Sequence, residues 1–269
     1  MGKIKFSLLF ICFLATLIAC STVPLTGRKQ FSLVGDSEIN TSAAQSYNQL
    51  LSDPKTKVIT GTRDAESVRR VGNRLATAIV SYLKTNGYGD QYSFNWEFNL
   101  IQSKEINAWC MPGGKVAVYS GILPITMDDA GLATVMGHEI GHAIARHSAE
   151  RISQQMAAEA GGALVGAAAS DKSQTTQSVV NELYGVGGQL VLLKYSRNQE
   201  SEADRLGLTF MAMAGYDPNY AVLFWQRMAA QNQGGTPPEF LSTHPADETR
   251  IRDIKNHIPE AMKYYHPHQ

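Results

Sequence analysis

From Asp64 onward apolar residues recur at steps of three and four: Val68, Val71, Leu75, Ile79 and Leu83. That spacing lines one face of an α-helix and predicts one ending near Asn86-Gly87. The period then changes. Tyr92, Phe94, Trp96, Phe98 and Leu100 fall at every second position, as in a strand. A turn at Pro112-Gly113-Gly114 leads into a second strand at Lys115–Tyr119. Asp128 and Asp129 suit the positive end of a helix, which Leu132, Val135, Met136, Ile140 and Ile144 carry on to about His147. Residues 148–175 are rich in Ala, Gly and Ser and too small and short for a membrane span; they predict either a closely packed helix or a mobile flap, with 148–185 a candidate lid. Helices are expected at Leu190–Met213, open to a kink at Tyr195-Ser196-Arg197, and at Asn219–Ala230, with Trp225 and Met228 in the core. A loop follows at Gln231–Pro238, then a last helix at Asp247–His257. Upstream, a short helix is expected around Ile39–Leu51. No repeat interrupts this order, which reads as one domain.

The first 60 residues follow another pattern. Lys3 and Lys5 precede an apolar run of about 14 residues from Phe6, short of the roughly 20 that a membrane span needs. This is the layout of an export signal, and Leu17-Ile18-Ala19-Cys20 resembles the lipobox of bacterial lipoproteins. The resemblance implies a signal peptide over 1–19, acylation of Cys20, and a lipidated linker and clasp over 20–60. Ser21, where many inner-membrane retention signals have Asp, implies an outer-membrane lipoprotein facing the periplasm of a Gram-negative cell. The whole chain of 269 residues has 24 basic and 24 acidic groups and a pI near 7.1. It lacks the basic excess of a nucleic-acid binder, and loss of Lys3 and Lys5 leaves it slightly acidic. Of three cysteines, Cys12 lies in the signal and Cys20 would carry lipid. Cys110 is then unpaired, and stability must come from a hydrophobic core.

The segment richest in chemistry is His138-Glu139-Ile-Gly-His142. Four residues apart on a helix, the two imidazoles share a face and can hold zinc, while the intervening carboxylate can act as base for water. Gly137 and Gly141 allow another element to approach closely. A catalytic zinc needs a third protein ligand. Glu200 and Glu202 are the candidates; Glu200 shares a helical face with Asp204, whereas Glu202 turns away from both. If Glu200 ligates, Asp204 is placed to accept the free N–H of a ligand histidine and fix its tautomer. His147, five residues past His142, falls off the ligand face of the helix and is expected either to support a ligand histidine from behind or to lie at the surface. His257, His266 and His268 belong to a polar tail.

His138-Glu-x-x-His142, with Glu200-x-x-Ala-Asp204 starting 58 residues after His142, resembles the M48 group of gluzincin metallopeptidases. Asn107-Ala-Trp-Cys-Met-Pro-Gly-Gly-Lys115, Ser242-Thr-His244-Pro-x-x-x-x-Arg250-Ile and the early Pro24-Leu-Thr-Gly-Arg28 extend the resemblance from the lipobox to about Lys255. It implies an α+β, zincin-like fold over 61–269, mostly helical, with a small mixed sheet beside the active-site helix. It also implies one Zn2+ on His138, His142 and Glu200, with Glu139 as base. His244 is expected near the metal, either stabilising the oxyanion, holding the enzyme latent in the open coordination position, or merely structural. Arg250 could face the cleft or pair with Asp204. Asn107, Ala108, Trp109, Cys110 and Met111 would form an edge that binds extended substrate. Trp109 and Cys110 depart from the family's pattern there, and a buried, inert Cys110 is expected. The tail is short, without the helical-repeat domain of some periplasmic relatives. The activity expected is endoproteolysis of unfolded or misassembled envelope proteins, with a chaperone-like assembly factor as the alternative. Partners would be those proteins, and either a second copy of the chain or outer-membrane assembly machinery.

Overall fold

The computed structural model describes residues 20–163, 195–231 and 238–267. The expected signal, the second half of the Ala/Gly-rich stretch and residues 190–194 lie outside the described residues, as does most of the 231–238 loop. The chain opens with a hairpin, β1 (Cys20–Thr22) against β2 (Lys29–Phe31), antiparallel. Then come α1 (Asp36–Ser52), the short β3 (Val58–Ile59) and α2 (Arg63–Thr85). The predicted face of α2 is its buried face: Val68, Val71, Leu75, Ile79 and Leu83 are at most 2% exposed. Burying each such side chain is worth about 1.5–3 kcal/mol. Thr62 caps the helix by accepting from the Ala65 amide, and Gly87 leaves it with φ of 78°.

A four-stranded mixed sheet follows, in the order β3, β4 (Glu97–Ile101), β6 (Lys115–Tyr119), β5 (Ala108–Met111). The β4–β6 pair is parallel, and the two outer pairs are antiparallel. The strand is shorter than its alternation suggested. Residues 92–96 are extended, yet Asn95 and Glu97 donate to the Gly113 and Gly114 carbonyls of a turn rather than to a strand. The alternation instead builds a ladder of stacked rings, Tyr92–Phe94–Trp96–Phe98, with centroids 4.5–5.9 Å apart.

Beyond the sheet lie α3 (Leu123–Thr126), α4 (Asp129–Ile144), α5 (His147–Ala163), α6 (Arg197–Met213), α7 (Tyr220–Ala230), α8 (Glu239–Thr243) and α9 (Glu248–Ala261). The result is a mostly helical α+β domain with its small mixed sheet against the helices of the site, a zincin-like architecture. Asp128 caps α4 through the Gly131 amide at 2.7 Å, as its position suggested. Almost every residue of α4 is buried, as expected of a helix apolar on all sides. The expected kink near Tyr195 is a helix start: Ser196 and Gln199 form a capping box that opens α6. The last helix extends past its expected end, to Ala261, with Pro259 in its final turns.

Two features matter for the site. The helix expected to run to His147 ends at Ile144. Arg146 takes the left-handed conformation (φ 53°), and α5 starts at His147 in a new direction. Asp36, the Gln91 carbonyl and the Tyr92 ring hold the Arg146 guanidinium and so sustain this costly backbone. The second is how closely α4 and α6 meet. A Cβ on Gly207 would lie 2.8 Å from the His138 nitrogen and 2.9 Å from the Gly137 carbonyl carbon. Those are backbone atoms, which cannot swing aside. Gly207→Ala is therefore expected to force the helices apart and to destabilise the fold by about 1–3 kcal/mol, the range for an overpacked core. Urea unfolding checks it; an unchanged midpoint would contradict this contact.

Candidate active site and metal centre

Helix α4 carries His138, Glu139 and His142, α6 carries Glu200 and Asp204, and α8 ends at His244, its C-cap. All six side chains are buried. His138 Nε2 lies 3.1 Å from His142 Nε2 and 3.6 Å from Glu200 Oε2, and His142 Nε2 lies 3.4 Å from Glu200 Oε1. His244 Nδ1 joins them, 3.2 Å from His138 Nε2 and 2.9 Å from Glu200 Oε1. The four ligand atoms lie within 4.8 Å of one another.

The tautomers explain why these atoms face each other. His138 Nδ1 is 2.8 Å from Asp204 Oδ1, so its proton belongs there and Nε2 is a bare lone pair. His142 Nδ1 is engaged 2.8 Å from His147 Nδ1, which leaves its Nε2 bare as well. Burial, the largest influence, pushes both ring pKa values down and keeps them neutral. Two unprotonated nitrogens and a carboxylate converging in a buried space are a donor set suited to zinc, beside the charge that Arg250 brings to Glu200 at 3.1 Å and to His138 Nε2 at 3.3 Å. Bonds of about 2.0–2.1 Å to a tetrahedral zinc put ligand atoms roughly 3.3–3.4 Å apart. The observed spacings of 3.1, 3.4 and 3.6 Å fit. His138, His142, Glu200 and His244 thus form one zinc site per chain.

Burial would raise the pKa of Glu200, but His244 and His142 outweigh it and hold the carboxyl well below its usual range. Arg250 Nη1 adds a contact at 3.1 Å. Arg250 pairs with Asp204 through two bonds of 2.8 Å, lies 3.4 Å over the Trp225 ring, and brings Nη2 to 3.2 Å from His138 Nδ1, so it contacts both Asp204 and the ligand cluster. Trp225 and Phe240 wall the site, with ring centroids 5.6 Å and 4.7 Å from His138 and His244 respectively.

Glu139 stands apart. Its Oε1 is buried with no hydrogen-bond partner, 4.0 Å from His138 Nε2 and 3.6 Å from His244 Nε2. Burial raises its pKa to about 7 against the opposing pull of His244. Cys110 is half-buried, and burial, with the Glu139 charge as a lesser influence, pushes its thiol pKa well up, which disfavours a reactive thiolate. Of the edge segment, Asn107, Ala108, Trp109 and Met111 are buried, and β5 is the outer strand of the sheet.

Three further residues meet the site. His147 lies off the ligand face, and the turn at Arg146 sets it behind His142, one of the two positions expected of it. Glu202 faces away from Glu200 and receives His147 Nε2 at 3.0 Å. Tyr195, which the sequence marks only as a place for a kink, stacks on the His142 ring at 4.1 Å, 20° from parallel, and its hydroxyl lies 3.1 Å from Ser148 Oγ. No periodicity could have signalled it, since a non-helical residue before α6 supplies the contact.

The fold and the site define a zinc metallopeptidase domain. Residues 62–258 match the model of peptidase family M48, and the chain belongs to that family. It is 35% identical over 241 residues to the mitochondrial metalloendopeptidase OMA1 of Schizosaccharomyces pombe, covering 89% of this chain and 67% of that protein. Against the human metalloendopeptidase OMA1 it is 30% identical over 275 residues, 98% of this chain and 50% of the relative. Against the β-barrel assembly-enhancing protease of Escherichia coli (strain K12) it is 32% identical over 170 residues, 60% and 34%. The chain thus spans about two thirds of the first relative's length and half or less of the other two.

Proposed function

We propose that this chain is a zinc-dependent endopeptidase that cuts unfolded or misassembled cell-envelope proteins, with Glu139 moving the proton. The observation that carries this reading is the Glu139 carboxylate, buried and unbonded beside the four ligands. A purely structural zinc site has no use for it. Zinc, when bound, supplies a Lewis acid that polarises a peptide carbonyl and acidifies water. Glu139 Oε1 would take up a proton during attack and release it to the departing amine, a task suited to a buried carboxyl with no hydrogen bond to hold it. Asp204, itself fixed by Arg250, would hold His138 in the tautomer that leaves Nε2 free. Substrate would add to the β5 edge at Ala108–Met111, which reads backbone amides and so favours extended, locally unfolded chains.

His244 has two possible uses, and its position favours one. With Nδ1 among the ligand atoms it fills the place a substrate carbonyl needs, which supports a latent resting state. Withdrawal of α8 would open that place. We further propose acylation of Cys20, which opens β1, and attachment to the outer membrane facing the periplasm. Among the described residues no helix is long and apolar enough to cross a membrane. The designation of the bacterial relatives directs a search for partners to β-barrel assembly.

The test is cleavage of unfolded casein by zinc-loaded 21–269 protein, beside His244→Ala. The expected result is slow, chelator-sensitive cleavage that rises at least severalfold in His244→Ala. A folded, zinc-loaded protein that cuts nothing even as His244→Ala would sink the peptidase reading in favour of a chaperone-like assembly factor.

A further inference from the structure

Beyond His147 the chain of contacts continues to the N-terminal hairpin. The Pro24–Arg28 turn is closed by Val23 N donating to Arg28 O at 2.8 Å and Gly27 N to Val23 O at 3.0 Å, with Leu25 and Gly27 both at φ 68°. Val23 is fully buried beneath it. The turn thereby aims two side chains at α6. Thr26 Oγ1 donates to Glu202 Oε1 at 2.6 Å, and Arg28 Nε donates to Glu202 Oε2 at 2.6 Å. The rest of the Arg28 guanidinium holds Glu150 of α5 at 2.8 and 3.1 Å, and Gln199 of α6 donates to the same Glu150 at 3.1 Å. Every partner of the Glu202 carboxylate is a donor, so it stays an acceptor for His147 Nε2.

We infer that Arg28, Thr26, Glu202 and His147 form a positioning relay that sets the tautomer of the zinc ligand His142. Ionised by its donors, Glu202 requires the His147 proton on Nε2. His147 Nδ1 is then a bare acceptor, 2.8 Å from His142 Nδ1. That nitrogen must carry the proton, which leaves His142 Nε2 free for metal. A reversed proton at any link would set two N–H groups, or two lone pairs, against each other in a buried space. His138 obtains the same result from Asp204 directly. His142 obtains it through an imidazole, because the break at Arg146 puts His147 between it and the carboxylate. The N-terminal turn, outside the residues matched by the family model, is in this way part of the metal site's support.

The inference rests on the zinc site described above but not on peptidase activity, and the test reads zinc and protons alone. In the zinc-loaded protein, 15N NMR should show His142 protonated on Nδ1 and His147 on Nε2, with through-hydrogen-bond coupling between the two Nδ1 atoms. A zinc-loaded protein that shows these signals but cuts no substrate even as His244→Ala would refute the proposed function and leave the relay intact. Chelator competition should show His147→Leu binding zinc about 10- to 100-fold more weakly, the usual cost of losing an outer partner of a ligand histidine. His147→Gln, whose amide can accept from His142 and donate to Glu202, should stay within a few-fold of the parent. Arg28→Leu should weaken binding in the same direction as His147→Leu. The relay is overturned by His147 protonated on Nδ1, by undiminished affinity in folded His147→Leu, or by Gln serving no better than Leu. If His147→Leu does not fold, the NMR assignment on the parent protein decides by itself.

Discussion

Glu139→Gln should retain one zinc per chain and lose casein cleavage by about 10²- to 10⁴-fold, the usual contribution of a positioned acid or base. The substitution preserves volume in a fully packed site, and Oε1 has no hydrogen bond to lose. Glu139 also lies outside the ligand set, so metal content should not change. Stability supplies a second signature. In metal-free protein the carboxyl has its pKa raised to about 7, above the roughly 4.3 of an unfolded chain. Between these values the native state holds the proton more tightly than the unfolded state, so the group makes stability fall as pH rises through that window. Its effect is absent below the unfolded pKa and complete above pH 7. Metal-free Glu139→Gln should therefore gain stability over the parent at pH 8 and differ little at pH 4. Cleavage by zinc-loaded Glu139→Gln at the parental rate would remove Glu139 from the mechanism.

Glu200→Gln should cost the protein its zinc, and by more than any change outside the ligand set. The amide is neutral and a poor substitute for an oxygen anion, and its NH2 group would face two lone pairs or Arg250. Arg250 Nη1, 3.1 Å from the carboxylate, would keep its charge there without a counter-charge at that oxygen. Glu202→Gln removes no ligand. Its penalty is confined to the relay, about 10- to 100-fold in affinity. Metal analysis after dialysis against a weak chelator should find Glu200→Gln empty and Glu202→Gln still substantially loaded. The opposite order would mean that the wrong glutamate had been placed on the metal.

Much of this site was legible along the chain because helices make spacing into geometry. His138 and His142 four apart, and Glu200 and Asp204 four apart, each had to share a face once α4 and α6 formed. The apolar steps of α2 and the acids at the start of α4 were equally local. Where local periodicity was carried past a break, it misled. The alternation from Tyr92 continued before β4 because stacked rings obey the same period as a paired strand. His147 fell off the ligand face in the α4 pattern, and only the left-handed Arg146 decides that it backs His142 and does not lie at the surface.

The HExxH and E-x-x-A-D motifs, read as sequence, put candidate ligands on shared helical faces because residue type and helical spacing suffice for that, and their resemblance to family M48 supplied the family and the ligand set. Distance along the chain says nothing of which helices touch. Gly137 and Gly141 allow a close approach, but only the fold shows that α6, at Gly207 and Ala203, is the element that meets them and brings Glu200 to His142. His244 joins the ligands, Tyr195 covers His142, and Arg28 reaches Glu202 across 174 residues for the same reason. Such contacts depend on how buried faces pack and where each polar group must find a partner, and packing is a property of the folded whole.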